Sequence, residues 1–134
     1  TGQATKLCNQ AIVATSIAAL AEAIGFAQRN NINVDKLAPA LAGGWADSKP
    51  LQIFAPRMIE AQEKSIGALS TMLKDIDTLI VNAQQSGAPM PVAASVQQML
   101  RVASAMGLGQ AEVSALVSVV LPEQRDAFLR QIST

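Results

Sequence analysis

An uncharged segment near the start of the chain constrains the fold more than any other feature. No formal charge occurs between Leu7 and Ala21, and the apolar run continues past Glu22 to Ala27. Alanine is frequent in this run, and alanine is the strongest helix former. The residues from Gly2 to Arg29 therefore predict one long helix, ~40 Å in length at 1.5 Å per residue.

A helix of this length and apolarity raises the question of a membrane span. We reject a span because Asn9, Gln10, Thr15 and Ser16 are spaced through the helix and most of its apolar residues are alanine. A secretory signal is rejected as well, since no basic region precedes the run and no small-residue cleavage site follows a short apolar core. We expect a helix buried nearly all round, with a partner subunit or domain supplying part of the cover.

Composition limits both the fold and its partners. With 134 residues the chain is about one domain long, and half of it is hydrophobic. Aromatic residues make up only 3%, so the core must consist of Ala, Leu, Ile, Val and Met, a mixture that favours helices. Lys plus Arg and Asp plus Glu balance at ten each, so neither a nucleic acid nor an anionic membrane is expected as a partner.

The chain offers few residues for catalysis. It has no histidine and a single cysteine, Cys8. We therefore expect no internal disulfide, no metal site and no Ser–His or Cys–His nucleophile pair. The lone cysteine is typical of a reducing compartment, and we expect the cytoplasm. Any acid–base chemistry must then use a lysine or a carboxylate.

The rest of the chain predicts shorter helices, about seven in all, and thus an all-α fold. Asn33 is expected to cap the second helix, and Asp47 or Ser48 the third. Pro56 should kink or break the third helix, and Gly87 should end the fourth. The second helix is predicted over about Val34–Ala42, and the third begins near Lys49. The fourth to seventh are predicted over about Leu69–Gln85, Val92–Ala105, Ala111–Val120 and Pro122–Ile132.

Hydrophobic spacing supports these helices. The fourth and fifth carry apolar residues at steps of three and four, which predicts amphipathic helices. The Val-rich stretch from Val113 to Leu121 is also compatible with a buried strand. No strand, Gly-rich turn and helix follow one another in the order that cradles a dinucleotide. The inward-facing residues are expected to be Leu69, Met72, Leu73, Ile76, Leu79, Ile80 and Ala83 in the fourth helix, and Val92, Val96, Met99, Leu100 and Ala103 in the fifth.

Three short motifs resemble the C-terminal domain of the β-hydroxyacid dehydrogenase family, which includes 3-hydroxyisobutyrate dehydrogenase and tartronate semialdehyde reductase. Gly2, Lys6 and Asn9 match a Gly-x-x-x-Lys-x-x-Asn motif that opens a long interdomain helix in that family. Leu73-Lys74-Asp75-Ile76 resembles its Lys-Asp-Leu segment. Gly107 to Ala115 is similar to Gly-x-Gly-x-x-Asp-x-Ser-Ala, with a glutamate, Glu112, where aspartate is usual.

The resemblance implies a role for each matched residue. Lys6 would be the catalytic acid/base, Gly2, Asn9 and Gln10 would bind substrate, and Lys74 would contact the cofactor. The family often has a second Asn where this chain has Gln10, so that contact differs from the usual pattern.

The resemblance also implies an architecture. Residues 1–134 would form a helical substrate-binding and oligomerisation domain, with a fold like the C-terminal domain of 6-phosphogluconate dehydrogenase. The family's N-terminal Rossmann domain, which binds most of the NAD or NADP, is absent from this chain. The expected partners are that domain, a small β-hydroxyacid of the 3-hydroxyisobutyrate or 2-hydroxy-3-oxopropionate type, and further copies in a dimer or tetramer. The helical domain alone would be inert.

Physical chemistry is consistent with these roles. The positive end of a helix dipole and burial in a cleft both favour the neutral amine of a first-turn lysine such as Lys6, the form that accepts a proton. Asn9 and Gln10 share its helix face, and amides donate hydrogen bonds without titrating. The open alternative is a non-enzymatic interaction module that dimerises through its apolar helix. Trp45 and Ser48, on a loop that could face a cleft, are not assigned a role.

Overall fold

The computed structural model describes residues 2–133, which form six α-helices joined by short 3₁₀ and π-helical turns. These residues contain no strand, so the all-α prediction is confirmed and the alternative of a strand at Val113–Leu121 is wrong. Each of the seven predicted helical segments is present, the sixth as a 3₁₀ helix. The helices are α1 (Gly2–Arg29), α2 (Leu37–Leu41), α3 (Lys49–Ile59), α4 (Leu69–Ser86), α5 (Pro91–Ala103) and α6 (Arg125–Ile132), with 3₁₀ turns at Val34–Lys36, Val113–Val119 and Pro122–Gln124 and a π-helical turn at Ser104–Leu108.

Local capping signals set several helix ends as predicted. The Asn33 side chain accepts a hydrogen bond from the Asp35 N–H at 3.1 Å, and the Ser48 hydroxyl accepts one from the Leu51 N–H, also at 3.1 Å. Gly87 ends α4 with φ 74°, a left-handed conformation that only glycine adopts without strain.

Helix α1 is the centre of the domain. It packs against α3, α4, α5 and the 113–119 turn, and nine of its 28 residues are buried. By length and composition α1 could also cross a membrane, but the core helix of a soluble protein meets the same criteria. Its packing against four other segments is that of a core helix.

One strip of α1 stays uncovered by the described residues. Ile12 is 69% exposed and Phe26 is 66% exposed, with exposed Ala19 midway between them. Their spacing of seven residues places them on one face. Within this chain α1 is therefore covered on one side only, and cover by a partner stays a prediction.

Two details differ from the predictions. Of the predicted kink or break at Pro56, the break does not occur: helix α3 continues to Ile59, and Ala55 and Met58 on either side of the proline are buried in the core. Val92, predicted to face inward, is 60% exposed. The buried stripe of α5 instead runs through Ala93 and the predicted Val96, Leu100 and Ala103.

Candidate functional site

The predicted site residues at the start of α1 share one helix face. Lys6, Asn9 and Gln10 are three and four residues apart, which places them together on consecutive turns. Lys6 and Asn9 are exposed and Gln10 is half-buried. The Lys6 ammonium makes no hydrogen bond or ion pair with any of residues 2–133, so no structural ion pair holds it.

A chain of two hydrogen bonds joins this face to α4. The Asn9 amide donates to the Gln10 carbonyl oxygen at 3.1 Å, and the Gln10 amide donates to the Asp75 carboxylate at 2.9 Å. An amide group has two donor hydrogens and two acceptor lone pairs, so Gln10 keeps one of each for a ligand. Asp75, a partner not assigned from sequence, thus fixes the Gln10 side chain.

Lys74 is the sequence neighbour of Asp75 and is exposed on α4. Its ammonium has no hydrogen-bond or ion-pair partner among residues 2–133. Gln10 touches Asp75 and Lys6 lies one turn before Gln10, so both unpaired lysines border the junction of α1 with α4. This junction combines two lysines and two neutral amides with the Asp75 carboxylate, which is engaged by Gln10.

Gly2 begins α1 and is exposed. A Cβ atom added at Gly2 would meet no atom within 4 Å. The open space leaves room for a ligand against its backbone.

A groove of about 570 Å³ lies on the other flank of α1, between its first three turns and the second half of α4. Leu7, Cys8, Leu79 and Met90 are among its mostly apolar lining, and Lys6 is not. The four predicted residues Gly2, Lys6, Asn9 and Gln10 therefore form an open face rather than an enclosed pocket in this chain.

Trp45 is fully exposed on the loop before α3. The Asp47 carboxylate fixes this loop by accepting hydrogen bonds from the Gly43 N–H at 2.8 Å, the Ser48 N–H at 2.8 Å and the Gln52 amide at 2.9 Å. The Gly43 N–H and then the Gln52 amide hold the pKa of Asp47 below its ordinary value. Ser48 caps α3, which is a structural role.

Sequence reasoning missed a buried ion pair. Glu112, which is fully buried, binds Arg57 with Nε at 3.0 and 3.1 Å from its two carboxylate oxygens. The two residues are 55 positions apart, so no local pattern connects them. The one sequence signal for this ion pair was that Glu112 stands where the family motif usually has aspartate.

Comparison with known proteins places these features in a family. Residues 1–120 match a family model described as NAD-binding of NADP-dependent 3-hydroxyisobutyrate dehydrogenase. The chain is 31% identical over 119 residues to the 2-hydroxy-3-oxopropionate reductase of Escherichia coli K12, covering 89% of this chain and 41% of that protein. It is 26% identical to the L-threonate dehydrogenase of Cupriavidus necator, covering 88% of this chain and 40% of that protein. It thus spans about two fifths of these relatives.

Solved structures show the same fold. The 3-hydroxyisobutyrate dehydrogenase of Salmonella typhimurium superposes with a TM-score of 0.81 at 23% identity, covering 86% of this chain and 40% of that one. The Mycobacterium tuberculosis 3-hydroxyisobutyrate dehydrogenase structure with L-serine gives a TM-score of 0.80 at 20% identity, covering 89% and 43%. At these identities the likeness shows the fold and not the chemistry.

Proposed function

The chain belongs to the 3-hydroxyisobutyrate dehydrogenase family, and on that premise we propose that it is the helical domain of an NAD(P)-dependent β-hydroxyacid dehydrogenase in which Lys6 carries the proton. The observation that supports this most is the position of Lys6. It lies in the first turns of α1, exposed, unpaired by residues 2–133 and beside two amides. The match of Gly2, Lys6 and Asn9 to the family motif sets Lys6 apart from an ordinary solvated surface lysine.

The reaction would move a proton as well as a hydride. NAD or NADP supplies the hydride acceptor or donor. In the oxidation direction, the Lys6 amine accepts the proton that leaves the substrate hydroxyl as the carbon–oxygen double bond forms. In the reduction direction, the Lys6 ammonium returns that proton to the carbonyl oxygen. A second domain closing over this exposed face would exclude water from the reaction.

The neighbouring residues would orient the substrate. The Asn9 carbonyl oxygen has no partner among residues 2–133, and Gln10 keeps a donor and an acceptor after binding Asp75. These amides, with the backbone at Gly2 and the start of the α1 dipole, suit a small molecule bearing a carboxylate and a hydroxyl. The Gln10–Asp75 bond would hold this face in one geometry.

The cofactor would be held mainly elsewhere. Residues 2–133 contain no strand and hence no strand–Gly-rich turn–helix cradle for a pyrophosphate. Lys74 offers an unpaired positive charge on α4, and such a charge fits a phosphate or carboxylate. The NAD-binding description of the family model supports NAD or NADP as the cofactor and supports a cofactor contact within this domain.

The substrate would be a small β-hydroxyacid. The names of the relatives support the 3-hydroxyisobutyrate and 2-hydroxy-3-oxopropionate types. The residue that distinguishes NAD from NADP at the ribose would lie in the Rossmann domain.

Self-association is a further part of the proposal. The exposed strip of α1, with Ile12 and Phe26, is the support for a homo-oligomer, either a dimer or a tetramer. The same strip would serve the second candidate function, a non-enzymatic dimerisation module. A cytoplasmic location is part of the proposal, because the chain has a single cysteine and forms no internal disulfide.

An activity screen tests the proposal. The protein from the whole reading frame would be assayed with a panel of small β-hydroxyacids and both NAD and NADP, with residues 1–134 alone as the inactive control. We expect turnover by the whole protein and none by the helical domain. Absence of turnover with every pair, together with self-association of residues 1–134, would favour the interaction module.

A further inference from the structure

Helix α4 begins without a side-chain cap. Its N-cap residue is Ala68, which has no side chain able to accept a hydrogen bond. The first N–H groups of the helix bind elsewhere: Leu69 donates to the Ala111 carbonyl and Ser70 to the Gly109 carbonyl, each at 2.8 Å. A distant segment of backbone thus caps α4.

That segment is the third motif, Gly107 to Ala115, for which the proposed reaction has no use. Gly107 has φ 85° and turns the chain in a left-handed conformation. Val113 donates from its N–H to the Gly67 carbonyl at 2.9 Å, in the loop just before α4. The motif therefore holds both the loop before α4 and its first two N–H groups.

The buried carboxylate of Glu112 lies in this segment and ties it to two others, α3 and the loop before α4. It accepts hydrogen bonds from Arg57 on α3, from the Ile66 N–H at 3.0 Å and from the Ser114 hydroxyl at 2.6 Å. Arg57 also donates to the Lys64 carbonyl at 2.8 Å. The loop between α3 and α4 is thus fixed by charge-assisted bonds, which are stronger than neutral ones.

We propose that Glu112 is a positioning residue for the cofactor side of the site. By fixing the segment that caps α4, it sets the place of the first turns of α4 and with them Lys74 and Asp75. Lys74 lies five residues after Leu69, about 7.5 Å along the helix at 1.5 Å per residue. The cofactor contact of Lys74 rests on the proposed function. The capping of α4 by the 107–115 segment does not rest on it.

Hydrogen exchange on residues 1–134 tests the capping. Glu112→Gln removes the charge and places an amide against the Arg57 donor, so the α4 start should open more often. We expect about tenfold faster exchange at Leu69 and Ser70, the equivalent of roughly one net hydrogen bond. Glu123→Gln is the matched control, because Glu123 pairs with Arg29 on the exposed surface at 3.2 Å. Unchanged exchange at Leu69 and Ser70 in the Glu112 variant would overturn the proposal.

Kinetics of the whole enzyme test the positioning. Glu112→Gln should raise the KM and the dissociation constant for the cofactor about three- to tenfold, the loss of roughly one net hydrogen bond, while kcat changes less than about twofold. Glu112→Asp keeps the charge and should restore most of the affinity. Faster exchange at the α4 start with unchanged cofactor affinity would refute the positioning role and leave the proposed function intact.

Two further results are decisive. An inactive wild-type enzyme would overturn the proposed function and the cofactor part of this inference, while the exchange experiment would still decide the capping. If Glu112→Gln does not fold, Ser114→Ala keeps the carboxylate and removes one of its donors. In Ser114→Ala, amide exchange at Leu69 and Ser70 should become faster and cofactor affinity weaker, each by a smaller factor than expected for Glu112→Gln. If neither changes, the proposal is overturned.

Discussion

The Gln10 side chain donates a hydrogen bond to Asp75 across 2.9 Å and so joins the third turn of α1 to the second turn of α4. The two residues are 65 positions apart, and each lies beside a lysine or an amide of the proposed site. This bond therefore adds a polar contact to the apolar packing that places Lys6 and Lys74 on neighbouring helices.

Removing the Gln10 amide should lower the stability of residues 1–134. Gln10→Ala leaves the half-buried Asp75 without this partner, and we expect a loss of about 1 kcal/mol in the free energy of unfolding. Gln28→Ala is the control, because Gln28 lies on the same helix, is exposed and has no side-chain hydrogen bond to residues 2–133. Urea unfolding gives both values, and equal losses would show that the bond contributes nothing.

A methyl group at Gly25 should crowd Val120, the residue that follows the 113–119 turn. A Cβ atom there would lie 3.0 Å from Val120 Cγ2 and 3.3 Å from Val120 Cβ. Overpacking costs about 1–3 kcal/mol, against a gain of about 1 kcal/mol in helix propensity, so Gly25→Ala should be neutral to about 2 kcal/mol destabilising. Adding Val120→Ala removes Cγ2, the nearer of the two contact atoms, and keeps Cβ. Thermal unfolding of the two single variants and the double variant should show stability changes that do not add up. Strictly additive changes would contradict the predicted contact.

Acid should weaken the loop that carries Trp45. The Gly43 N–H and the Gln52 amide lower the pKa of Asp47 in the folded chain relative to the unfolded chain. The stabilisation is therefore present above the ordinary value of 3.8 and is lost as the pH falls through the lower folded-state value. Asp47→Asn should reduce stability at neutral pH and have a smaller effect below the folded-state pKa. The free energy of unfolding of Asp47→Asn and of the unaltered chain, measured at neutral pH and below the folded-state pKa, checks this. An equal loss of stability under the two conditions would contradict the prediction.

Self-association should depend on the exposed strip of α1. Phe26→Asp places a charge where we expect a second copy to pack, so sedimentation velocity at micromolar concentration should show a shift from oligomer to monomer. Val81→Asp alters a 52% exposed residue of α4 and should leave the oligomer unchanged. A monomeric wild-type chain would contradict the predicted interface.

Much of the fold was predictable because its signals are local. Ser48 and Asn33 cap their helices through atoms two or three residues away, and Gly87 ends α4 through its own φ angle. Such effects can be inferred from neighbouring residues alone. The continuation of α3 past Pro56 could not be inferred in this way, since the burial of Ala55 and Met58 comes from other segments.

The candidate site was predictable only in part. Lys6, Asn9 and Gln10 share a face by helical spacing, and their arrangement on α1 follows from the sequence. The bond from Gln10 to Asp75 and the pairing of Arg57 with Glu112 connect distant parts of the chain. They depend on how α3, α4 and the 107–115 segment pack, which one sequence does not specify.

The central claim is that Lys6 carries the proton, and the most direct test is turnover by Lys6→Ala in the whole enzyme. We predict that kcat falls at least ~100-fold, the low end of general acid–base contributions, while the dissociation constant for the cofactor stays within about twofold. Lys36→Ala, at another exposed lysine, should retain normal turnover. Near-normal kcat in Lys6→Ala would contradict the account and remove Lys6 from the mechanism.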